Sequence, residues 1–121
     1  HHYPVSPKLL ELLPKKEQMR LLLKWADKDL ARLLPAIFND TYEPISLELG
    51  ERILKALAES PYQVNQYDYR ALALYLPPQA KSLLESLKEK DVSRYSDNYF
   101  KNRILEMQHI LEIKSNLNLS P

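Results

Sequence analysis

Nine prolines and a single glycine in 121 residues leave this chain few ways to fold. Proline fixes φ and gives up a backbone donor, so it belongs at the first turn of a helix or just past its end. Tight β-hairpins depend on glycine-containing turns to reach positive φ. Gly50 is the sole glycine, and it lies within an apolar pattern of helical period. One glycine also cannot build a glycine-rich phosphate loop. The prolines therefore act as punctuation, and they cut the chain into helix-sized pieces.

The pieces read in order. Ser6 and Pro7 suit a helix start, and the short segment Lys8 to Leu13 ends before Pro14. Pro14 opens a helix whose Met19, Leu22, Leu23 and Ala26 share one face. Asp27 or Asp29 caps a short helix carrying Leu30, Leu33 and Leu34, in which Pro35 makes a kink or a new turn. Ile37 and Phe38 add core bulk. Residues 39–45 form a polar loop ending at Ser46, an N-cap for a helix over 47–59 with Leu49, Ile53, Leu54 and Leu57 on one stripe. After Ser60-Pro61 and a turn, Asn65 and Asp68 form a capping box with Asp in place of Glu. Tyr69, Leu72, Ala73 and Leu76 give the stripe that follows. Pro77-Pro78 opens a helix bearing Ala80, Leu83, Leu84 and Leu87. The last helix begins after Ser93 or Ser96 and runs to about Lys114, with Phe100, Ile104, Met107 and Leu111 facing inward. Ile110 and Ile113 widen its apolar stripe, and Leu117 and Leu119 fall in a tail over 115–121. The expectation is an all-α, single-domain, irregular bundle of six to seven helices with a long C-terminal helix. Its bundle spans 7–114, and residues 1–6 are leader, with His1 and His2 reading as the remnant of an affinity tag.

Composition narrows function mainly by exclusion. A 45% hydrophobic share is too high for a disordered tail. The absence of cysteine removes disulfides, thiolate metal sites and redox motifs, and it fits a cytoplasmic location. A formal charge of +1 argues against a dedicated nucleic-acid domain. No apolar run approaches the roughly 20 residues that cross a bilayer. His109 is the one histidine outside the first two residues, and the sequence places no nucleophile beside it. Glu106 and His109 make a single Glu-x-x-His pair, whereas a di-iron bundle needs the motif twice plus two further glutamates. Asp27, Asp29, Glu48 and Glu51 read as caps and first-turn charges. No catalytic residue, metal ligand or cofactor is expected. Eight tyrosines are numerous for this length and suit boundary positions, protein interfaces or base stacking. Residues 1–39 carry net +3, with Lys15, Lys16, Arg20 and Lys24 close together, which reads first as a solvated helix face.

Three stretches taken together resemble the C-terminal, helicase-binding domain of bacterial DNA primase. Leu13-Pro14-Lys15-Lys16-Glu17-Gln18-Met19-Arg20-Leu21-Leu22-Leu23, followed by the break Asp27-Lys28-Asp29, resembles its opening. Ile53 to Leu57, the break at Ser60-Pro61, then Tyr69-Arg70-Ala71-Leu72 ending in Leu76-Pro77 is similar in order and spacing. Val92-Ser93 through Asp97-Asn98-Tyr99-Phe100-Lys101-Asn102-Arg103-Ile104-Leu105 is similar to the break and long helix that close its globular part. The likeness runs from about residue 8 to 115 and lies in helix lengths, breaks and leucine placement. The amino-terminal domain of the replicative helicase has a related helical pattern and stands as the alternative, with a nucleotide- or single-strand-binding module as another. The primase resemblance implies a non-catalytic interaction domain that tethers the enzyme to the amino-terminal collar of the hexameric helicase, with polymerase chemistry elsewhere in the parent transferase. The family's closing helical hairpin has no counterpart up to Pro121. Ile110, Ile113, Leu117 and Leu119 are the expected partner-binding residues, as the apolar groups left over once the core is built, with closure of the bottom of the same core as the other reading of them.

Overall fold

A computed structural model describes residues 10–38, 43–89 and 98–117 of the chain. Among these residues the secondary structure is entirely helical, as expected. We label the helices α1 (Lys15–Lys28), α2 (Leu30–Ile37), α3 (Leu47–Glu59), α4 (Gln66–Tyr75), α5 (Ala80–Glu89) and α6 (Tyr99–Leu117), with a 3-10 turn at Pro61–Gln63. Residues 10–11 are also helical. The proposed start at Ser6-Pro7, most of the loop at 39–45, and Ser93 and Ser96 lie outside the described residues.

The boundaries follow from local chemistry. Pro14 precedes α1 and caps nothing with its side chain, and the Gln18 amide instead donates to the Leu13 carbonyl at 2.8 Å. Asp29 serves two helices at once. Its N–H closes α1 onto the Trp25 carbonyl at 2.7 Å, and its carboxylate accepts from the Arg32 N–H at the start of α2. Ser46 Oγ accepts from the Leu49 N–H at 3.1 Å and starts α3. Asn65 and Asp68 complete the capping box, with the Asp68 N–H donating to Asn65 Oδ1 at 2.9 Å. Pro35 sits inside α2 rather than at its edge, and the helix ends two residues later. One boundary differs from expectation: α6 continues to Leu117, so Leu117 is a helical residue rather than part of a tail. No proline interrupts residues 99–117, and the helix lacks a sequence signal for an earlier stop.

One continuous core joins all six helices. The four expected stripes on α3, α4, α5 and α6 point into it, with Ile53, Tyr69, Leu84 and Ile104 each wholly out of solvent. Trp25 also enters the core, an indole that the Met19–Ala26 spacing alone does not single out. Gly50 permits a close approach. A Cβ there would stand 3.1 Å from Leu76 Cδ2, and the Ile45 N–H donates to the Tyr75 carbonyl at 2.8 Å beside it. The start of α3 is thereby clasped to the end of α4.

Helix directions can be read from side-chain pairs. Gln66 with Arg103, Arg70 with Glu106, and the Leu74 carbonyl with Lys114 advance together, so α4 and α6 run parallel. Pro77-Pro78 reverses the chain. On the opposite flank of α6, Gln108 Nε2 donates to Glu85 at 2.8 Å, while Lys81 lies beside Glu112 and Asn116, so α5 is antiparallel to it. At the other end of the molecule α1 packs along α3, joined by Asp27 with Arg52 at 2.9 Å.

Candidate functional site

The site is built where α4 and α6 lie side by side. Each helix turns its inner stripe to the core and leaves an outer face. On α4 that face carries Tyr67 and Arg70. On α6 it carries Tyr99, Arg103, Glu106, Ile110, Ile113 and Leu117, spaced at three and four and spanning about 27 Å at 1.5 Å per residue.

The amino-terminal half of this face is aromatic and guanidinium-rich. Tyr62, from the 3-10 turn, stacks on Tyr99 with ring centroids 4.5 Å apart. Tyr99 meets the buried Tyr69 edge-on at 6.1 Å. Arg103 lies over the Tyr99 ring at 4.9 Å, and Arg70 over Tyr67 at 5.6 Å. Both arginines reach the Glu106 carboxylate, at 2.9 Å from Arg103 and 3.2 Å from Arg70. Arg103 also donates to Gln66 Oε1 at 3.0 Å. These contacts hold long side chains in place and lower the entropy a partner must remove. Tyr62 and Tyr67 nonetheless stay 55% and 68% exposed. Tyrosine and arginine held this way have the composition of interface hot spots.

The carboxy-terminal half is aliphatic. Leu117 is 78% exposed and Ile113 45% exposed on this face, while Leu105 is exposed elsewhere on the same helix. Ile110 stands differently: it is half-buried and packs against the core, so its role is shared between fold and surface. Leu119 lies outside the described residues. Lys114 turns inward and donates from Nζ to the Leu74 carbonyl at the end of α4. Partial burial of that ammonium holds its pKa below the usual lysine value.

Chemical machinery is sparse among the described residues. Glu106 is engaged by two arginines and His109 is exposed, so the Glu-x-x-His pair does not form a chelate. No cluster of three histidine, aspartate or glutamate side chains stands close enough to hold a metal ion. An open cleft of about 480 Å³ between α5 and α6 is lined by Lys81, Glu85, Gln108, Glu112 and Asn116. Its Glu85 carboxylate is held below the usual range by hydrogen bonds from Lys88 and Gln108. A smaller cavity of about 190 Å³ lies between α2 and the turn, beside Leu34, Phe38 and Val64. Neither brings a nucleophile and a base together. No helix among the described residues is long and apolar enough to cross a membrane.

Of the residues expected at a partner surface, Ile113 and Leu117 are exposed and Ile110 is half-buried, whereas none of Tyr62, Tyr67 and Tyr99 is singled out from the sequence. The tyrosines are visible in the sequence, but Tyr62, Tyr67 and Tyr99 belong to three elements, and only the parallel pairing of α4 with α6 brings them together. A usable signal was the recurrence of Tyr67, Arg70, Tyr99 and Arg103, each tyrosine followed by an arginine one helical turn later. Comparison with protein-family models, curated proteins and solved structures finds no match for this chain.

Proposed function

We propose that the chain is a non-catalytic interaction domain, and that it acts as the helicase-binding domain of a bacterial DNA primase. The observation that carries the interaction reading is the outer face of α4 and α6. It offers an ordered tyrosine–arginine cluster at one end and exposed Ile113 and Leu117 at the other. In the helix-in-groove mode of recognition such a ridge lays its apolar stripe into a groove of the partner. The choice of partner rests on the resemblance of the helix order, the Leu-Pro breaks and the proline-led opening to primase. That resemblance points to the helical collar at the amino-terminal end of the hexameric replicative helicase as the partner. In this role the domain holds the primase at the fork while other domains make the primer.

The test is gel filtration of the chain with the amino-terminal domain of a replicative helicase from the same source. Co-elution that is lost with Tyr67→Ala supports the reading. Separate elution at concentrations well above the micromolar range removes the helicase as partner.

A further inference from the structure

A second surface, on different helices from the α4–α6 face, carries its own signal. Helix α1 holds five basic and two acidic side chains, net +3, against +1 for the whole chain. Lys16, Arg20, Lys24 and Lys28 repeat at every fourth residue, and all four are exposed. Like charges at that spacing repel along a helix. Lys15 and Lys16 also stand in the first turn, where the helix dipole disfavours a cation. Both carboxylates of α1 are already engaged, Glu17 by Arg20 and Asp27 by Arg52. Lys15, Lys16, Lys24 and Lys28 have no ion-pair partner among the described residues. Helix electrostatics favours Arg20, through Glu17, and Lys28, in the last turn, but gains nothing from Lys15, Lys16 or Lys24. Lys16, Arg20, Lys24 and Lys28 make a regular row about 18 Å long at 1.5 Å per residue.

We infer that the outer ridge of α1 binds the phosphate backbone of single-stranded nucleic acid. A row of evenly spaced cations complements a ligand whose charge repeats with every unit. The ridge is one helix row wide, and the exposed charge of the neighbouring α3 is mostly acidic, Glu48, Glu51 and Glu59 against Lys55. A single row of cations matches the phosphates of one strand. No aromatic side chain is exposed on α1 among the described residues, so bases go unread and binding is independent of sequence.

The experiment is fluorescence anisotropy of a labelled deoxythymidine oligonucleotide titrated with the full chain at several salt concentrations. Parallel titrations use duplex DNA and polyglutamate. Binding should weaken with salt along a log–log slope of about −2 for the three unpaired lysines of the row on a single strand, and about −3 where Arg20 leaves Glu17 for a fourth phosphate. The double variant Lys16→Glu and Lys24→Glu should bind at least tenfold more weakly at low salt. The same variant should melt at a higher temperature, because each carboxylate then stands four residues ahead of Arg20 or Lys28. Binding lost together with a raised melting temperature separates a ligand site from a structural one. No binding at low salt, undiminished binding by the double variant, or equal binding of duplex or polyglutamate would overturn the inference.

Discussion

Tyr69 shows how much one side chain can settle. Its ring is fully buried at the centre of the core, and its hydroxyl donates to the Pro61 carbonyl at 2.7 Å. That bond ties the first residue of the 3-10 turn to α4 and satisfies both polar groups. Tyr69→Phe should keep the packing but strand the carbonyl, at a cost of about 1–2 kcal/mol in denaturant unfolding. Burial, and after it the neighbouring Tyr99, raises the Tyr69 pKa well above the ordinary value. The fold therefore favours the neutral phenol. Its contribution is complete below the ordinary tyrosine value near 10 and is lost as pH rises through and beyond it. The stability difference between wild type and Tyr69→Phe should shrink above about pH 10. Lys114 has the opposite sign, since a lowered lysine pKa makes the fold gain stability as pH rises through that lowered value. It is common to both proteins and cancels in the comparison. A difference independent of pH up to the alkaline limit would contradict this account of Tyr69.

At the scale of elements, legibility tracked the kind of signal. The α3 and α4 stripes and the Asn65–Asp68 box were readable because they are local: a spacing of three and four, and a cap three residues from its partner. The end of α6 was not. Its apolar residues lie around much of the circumference, with Leu105, Ile113 and Leu117 exposed and Met107 and Leu111 buried. Periodicity then marks neither a clean face nor a last turn. The Lys114–Leu74 contact was invisible for another reason, since it spans two helices 40 residues apart in sequence. It supplies an acceptor at the end of α4 with a donor from α6. Lys114→Ala should destabilise the fold by about 1 kcal/mol, measured as a lower urea midpoint with unchanged slope. Gly50 gives a second check. Gly50→Val places branched carbon against the fully buried Leu76 and should cost about 2 kcal/mol. A Gly50→Val protein as stable as wild type would show that the α3–α4 clasp is looser than the geometry indicates.

The whole molecule separates its tasks by surface. The core consumes the inner stripes of all six helices, and the proposed functions use what remains outside. Two such remainders have different chemistry: a tyrosine–arginine–aliphatic face on α4 and α6, and a cationic ridge on α1. The first was half legible, because leftover apolar residues on one helix can be listed from its period, whereas a cluster drawn from three elements needs their arrangement. The central claim is that the α4–α6 face is a docking surface rather than an unfinished part of the core. Ile113→Glu tests it most directly, with affinity for the helicase amino-terminal domain measured by calorimetry beside a thermal melt. The account predicts at least a tenfold loss of affinity with the melting temperature within about 2 °C of wild type, the range of a surface substitution. A melting temperature ten or more degrees lower, with affinity unchanged at low temperature, would place Ile113 in the core and contradict it.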